Sequence, residues 1–248
     1  GDCADNNTAI GKSALKVFAG SNATAVGSGA ADAATTATHL TAVGKDALGA
    51  CTEGSTNTAV GSAALALLVG TGTSAGTGGD DNCALGYAAG WSVTGLRNTV
   101  IGSDVAAFAT TIDDCVAIGY RALKSADGSN ATGNYNIAVG NYAGDAMTSG
   151  SENIAIGHNA LTDLATSASN VAIGLEAGYD LTGADNTIIG TRALKFGTSV
   201  TNSVAIGKNA IGGDGSTAPT GDWNIAVGNY ALDATTTGNK NVGIGFSA

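Results

Sequence analysis

Hydrophobic and small positions alternate along this chain over stretches of only three residues, and those stretches recur from one end to the other. A β-branched residue, a small residue and an aliphatic residue stand before a glycine, as in Thr58-Ala59-Val60-Gly61 and Val171-Ala172-Ile173-Gly174. The marker glycines run from Gly11 to Gly245 in fourteen units, with steps of 16 or 17 residues except for one of 25 and two of 21. Alternation with a period of two in a β-favouring triplet reads as a short strand. The β-branched and aliphatic residues share one face of it, and the alanine takes the other. A fixed period of this kind marks a stacked array, in which each unit buries its apolar face on its neighbour.

A second phrase follows each glycine. Alanine stands three residues after it, as at Ala14, Ala122, Ala160 and Ala248, with Val105 the exception. The next residue is often leucine, as at Leu48, Leu65, Leu123, Leu161 and Leu194, and it is expected to return to the core. Five to seven polar, Gly- or Thr-rich residues then close the coil, as in Thr148-Ser149-Gly150-Ser151-Glu152. The expected fold is therefore all-β, a parallel solenoid of about 14 coils forming a single repeat domain over residues 1–248. With rungs roughly 4.8 Å apart, such a stack predicts a rod of roughly 60 Å. Helical and leucine-rich readings fail, because the units are punctuated by Gly, rich in Thr, Val and Ile, and lack a leucine ladder.

Two columns bear on what the array could do. Asparagine stands four residues before the marker in ten units, among them Asn57, Asn82, Asn153 and Asn170. It satisfies turn backbone and can bond its copies in a ladder, so a structural role is expected. The alanine column is poor in bulk, and it predicts a surface that another backbone approaches closely. On that reading Ala138, Ala155, Ala172, Ala205 and Ala226 pack against two identical chains around a common axis.

Composition narrows the function. Aromatic residues make up 5% of the chain and charged residues 12%, against 39 glycines, which suits a thin core rather than an ordinary globular one. The formal net charge of −10 is a diffuse acidic excess, so nucleic-acid binding, which needs basic stripes, is not expected. No apolar run approaches the ~20 residues of a membrane span, so membrane insertion is not expected. The opening Gly1-Asp2-Cys3 carries no signal-peptide pattern and is compatible with a segment of a longer fibre. Of the four cysteines, Cys83 and Cys115 are expected as buried small hydrophobes, and a disulfide involving Cys3 or Cys51 stays open. Their spacing argues against zinc.

Catalysis has little to draw on. His39 and His158 occupy unrelated repeat positions, and no nucleophile elbow, phosphate loop or His-Glu metal motif is present, so no enzyme is expected. Asp80-Asp81 and Asp113-Asp114 could offer oxygen ligands to calcium, but neither matches a known calcium loop, and no cofactor is expected. Recognition would belong to the irregular turns. Three insertions stand out, at 69–82, 124–135 and 212–223. Trp91, Trp223, Tyr87, Tyr120, Tyr142 and Tyr230 (with Tyr179 beside them) form a sparse aromatic set suited to a glycan or protein.

At its repeat columns the chain resembles the YadA-like head of trimeric autotransporter adhesins, with Ser203-Val204-Ala205-Ile206-Gly207-Lys208-Asn209-Ala210 carrying the likeness. The resemblance implies a left-handed parallel β-roll in an intertwined homotrimer. The period is longer than that family's usual unit, which implies wider coils or larger turns. The wording Asn7-Thr8-Ala9-Ile10-Gly11, continuing to Ala14-Leu15, is similar to repeats in phage tail fibres. The expected function is a non-enzymatic fibre module of a virion, contacting a host surface glycan or protein. The alternative is the head of an adhesin on the outer surface of a bacterium. An ice-binding array would need an unbroken exposed Thr-x-Thr face, and the Thr column turns to Val and Ile. A solenoid that cleaves polysaccharide would need a carboxylate column, and none lines one face.

Overall fold

The computed structural model describes residues 6–69, 79–125, 131–212 and 218–248. Part of each expected insertion (70–78, 126–130 and 213–217) lies outside these residues, as does Cys3. The chain divides into two compact units, Gly1–Arg121 with Gly128–Thr132, and Ala122–Asp127 with Gly133–Ala248.

Every marker phrase forms a three-residue strand. The first unit holds β1 (Thr8–Ile10), β2 (Thr24–Val26), β3 (Thr41–Val43), β4 (Thr58–Val60), β5 (Cys83–Leu85), β6 (Thr99–Ile101) and β7 (Val116–Ile118). The second holds β8 (Ile137–Val139), β9 (Ile154–Ile156), β10 (Val171–Ile173), β11 (Thr187–Ile189), β12 (Val204–Ile206), β13 (Ile225–Val227) and β14 (Val242–Ile244). Within each unit the strands pair in chain order, parallel and without slippage, so that Ala42 faces Ala59 and Ala155 faces Ala172. The long step between β4 and β5 leaves the register intact, with Thr58 beside Cys83. No helix occurs among the described residues. Each unit is a parallel β-solenoid.

Turn geometry makes these short strands possible. Each marker glycine takes φ between +127° and +140°, a region open in practice to glycine alone. Its N–H donates to the residue before the previous marker, as from Gly157 to the Val139 carbonyl at 2.8 Å. Four residues on, a second ladder runs through the turns, with Leu161 donating to Ala177 at 3.0 Å and Leu194 to Ala210 at 2.9 Å. The second phrase is thus a turn. Its leucines do return to the core, since Leu48, Leu65, Leu123, Leu161 and Leu194 are all buried.

The strand faces are the reverse of the sequence expectation. The middle residue of every strand from β2 to β14 points inward, and Ala138, Ala155, Ala172, Ala205 and Ala226 have no exposed surface in the single chain. They pack inside their own coil and offer nothing to a sister chain. The reason is the width of the coil. Leucines from the turn, together with a column seven residues after the marker (Cys51, Leu68, Met147, Leu164, Leu181), already fill the interior. Only a small residue fits opposite them at interior packing density.

Candidate assembly face

With alanine inside, the β-branched and aliphatic residues flank it on the outside. At all fourteen strands both outer positions are half-exposed or exposed. Leu85 is 48% exposed and Ile225 41%, values far from a filled core. Neither outer column contains a charged residue at any rung. Each unit therefore presents a flat neutral strip, two side chains wide and one rung deep at every strand.

Beside this strip the asparagine column closes the turns. Asn170 Oδ1 accepts the backbone N–H and the side-chain amide of Asn186, both at 3.0 Å. Its own amide donates to Asn153 Oδ1 at 3.2 Å and to the Gly183 carbonyl at 3.0 Å. Where serine replaces asparagine the cap survives, since Ser203 Oγ accepts from the Asn224 N–H at 3.1 Å. Eight of its ten asparagines are buried, which fits the structural role expected of the column.

The paired aspartates are absorbed by the same architecture. Asp80 Oδ1 accepts the Ser55 N–H and Asp113 Oδ1 the Leu96 N–H, each at 2.7 Å. Asp81 receives the Thr56 hydroxyl. Asp114 is bridged by Arg97 through two bonds of 2.6 and 2.7 Å, which hold its carboxyl below the ordinary range. Among the described residues no group of three His, Cys, Asp or Glu side chains could hold a metal ion.

Cysteine placement differs from expectation at one position, Cys83. Cys115 is buried as expected, but Cys83 sits in the outer column of β5 and is exposed. Cys51 is a free thiol deep in the seventh-residue column, and burial pushes its pKa up to about 12. No disulfide involves it.

The aromatic residues do not converge. Tyr87 and Tyr120 are exposed in the position just after the marker, while Tyr142 and Tyr230 lie one place further on. Trp91 meets Phe108 edge to face at 6.4 Å between centroids, and Trp223, 56% exposed, stands five residues before its marker. Tyr142 contacts His158 in the next coil, and Tyr230 lies between Phe246 and the Lys208 ammonium. These are local stacks between adjacent rungs, spread over several turn columns.

One charged cluster crosses rungs in the second unit. Glu176 pairs with Lys195 at 2.7 Å and Arg192 at 2.9 Å, and the Lys195 bond is the main cause of its lowered pKa. Asp180 is shifted the other way, first by partial burial and then by the charge of Asp163. An acid whose folded pKa is raised opposes folding when ionised. That penalty is complete above the folded pKa, shrinks as pH falls through it, and is gone below the unfolded value of about 4. Asp180→Asn is therefore expected to stabilise the fold at pH 7 by less than about 1 kcal/mol, because the site is partly open to water, and so to raise the melting temperature. Thermal melts of both proteins at pH 7 and pH 3.5 (roughly half a unit below the ordinary value) check this, and the gain should be lost at the lower pH.

No protein-family model matches the chain, and comparisons with curated proteins and with solved structures also return no match. Among the described residues no helix is long and apolar enough to cross a membrane.

Proposed function

We propose that the chain is a non-enzymatic structural and adhesive module of a phage tail fibre. In this reading it is a left-handed β-roll, and three parallel copies close around the outward aliphatic strip. The observation that carries the reading is that strip itself, neutral at every rung on a chain of net charge −10. Contiguous exposed apolar surface on a soluble protein marks an interaction site. Covering a half-exposed Val or Ile gains roughly 1 kcal/mol. One aliphatic residue at most rungs of the first unit and two at most rungs of the second together outweigh the roughly 4–15 kcal/mol that association costs.

The turns are then left for recognition. Trp223, Tyr87 and Tyr120 are exposed there, and aromatic faces of this kind suit a host glycan or protein. The scaffold acts as spacer, and the turns vary without disturbing the ladder. Sedimentation equilibrium of the purified chain tests the assembly: the reading expects three times the chain mass of 23.8 kDa. A single-chain mass at every concentration would overturn it. Retention of the labelled protein on intact bacterial cells, reduced by Trp223→Ala, is expected from the adhesive part. No retention on any cell type tried would remove that part.

A further inference from the structure

The outward strips of the two units differ in one column. In the first unit the residue opening the strand is threonine at five of seven strands (Thr8, Thr24, Thr41, Thr58, Thr99) and Cys83 at a sixth. In the second unit it is Ile or Val at six of seven, with Thr187 the exception. The column that closes the strand is aliphatic throughout both units.

The five threonine hydroxyls make no hydrogen bond among the described residues. Turn threonines behave differently, since the hydroxyls of Thr35 and Thr148 each donate to a carbonyl in the next coil at 3.0 Å. The outer hydroxyls are thus left to water or to whatever covers the strip. A hydroxyl buried without a partner carries a desolvation penalty, whereas a methyl in the same place gains from being covered.

Resting on the fibre reading above, we infer that the second unit's strip supplies most of the affinity between copies, while the hydroxyl column of the first unit weakens the contact there. The occupant is a second copy of the same chain, aligned in parallel so that like unit meets like. A chain this acidic repels its copies through most surfaces, and the neutral strip is where they can approach. An identical strip also repeats at the same rung spacing, so contacts stay in step from coil to coil.

Two nearly isosteric substitutions in the full chain test the inference. Val204→Thr is expected to weaken association by about tenfold or more, because a hydroxyl replaces a covered methyl. Thr41→Val is expected to strengthen it by a similar factor. Both are read by sedimentation equilibrium, with thermal melts confirming that each variant is folded. Weakening by Thr41→Val would overturn the inference, since it would show the hydroxyls pairing across copies. An unchanged association constant in both variants, with the wild type assembled, would overturn the inference and move the contact off the strip, while the chain would still stand as an assembling module. A wild type that sediments as one chain ends both.

Discussion

Gly157→Ala is expected to destabilise its solenoid unit by about 4 kcal/mol or more, enough to remove the cooperative fold of many domains. Gly157 has φ of +138°, and a Cβ built on it would lie 2.3 Å from the carbonyl oxygen of Gly174. That oxygen belongs to the next rung's backbone, so it cannot swing away as a side chain would. Gly245→Ala is the matched control. Its φ is +128°, but the nearest atom to an added Cβ is that of Ala248 at 3.9 Å. It should suffer only the conformational part, roughly 1–3 kcal/mol. Urea unfolding of the two variants separates clash from strain. Equal losses would mean that the rungs are not in the tight register described above.

The second large effect is expected at the asparagine ladder. Asn170→Ala takes away the acceptor for both the backbone N–H and the side-chain amide of Asn186, which is almost fully buried. The Asn186 side-chain amide keeps the Ala184 and Val200 carbonyls, so the groups left unpartnered are the Asn186 backbone N–H and the Gly183 carbonyl. Each costs about 1–3 kcal/mol, so a loss of roughly 3–5 kcal/mol follows. Asn170→Ser should be milder, because Ser203 already shows a hydroxyl serving as the cap in this column. Urea midpoints rank the three proteins, and hydrogen exchange at the Asn186 amide should quicken most in the alanine variant. An alanine variant as stable as the serine one would show that the ladder contributes little.

The strand positions were fully legible in the sequence, because the triplet and its glycine repeat without a gap. The Asn column was legible for the same reason: an amide repeated in a turn has few other uses. Which face of the strand is buried was not. Bulk on one side and alanine on the other normally means that the bulky side is the core. Here the coil is so narrow that its opposite wall supplies the bulk, through Leu161 and Leu164 in one rung and Leu181 in the next.

Ile188 shows how strict the volume balance is. It replaces alanine in the inner column, and the position where most coils place leucine is Gly178 in the preceding rung. A Cβ added there would meet the Ile188 side chain at 3.0 Å and that of Leu161 at 2.9 Å. This exchange is visible only once the rungs are stacked. The turn conformations were also hidden. Asp114, Arg121 and Leu123 all take positive φ, and similar values recur in the same columns of other coils. Nothing in the identity of an arginine or a leucine announces that geometry. The scattered aromatics were read from residue type alone, and the fold sets them in separate turn columns.

The inward alanines and outward aliphatics can be separated directly by comparing particle mass and folding for Ala205→Leu and Ile206→Lys. Ala205 has no exposed surface, so leucine there should prevent folding. Ile206 is half-exposed, so lysine should leave the solenoid folded and lower the particle mass to one chain. A folded Ala205→Leu protein beside an Ile206→Lys protein that keeps the full assembled mass would contradict the account.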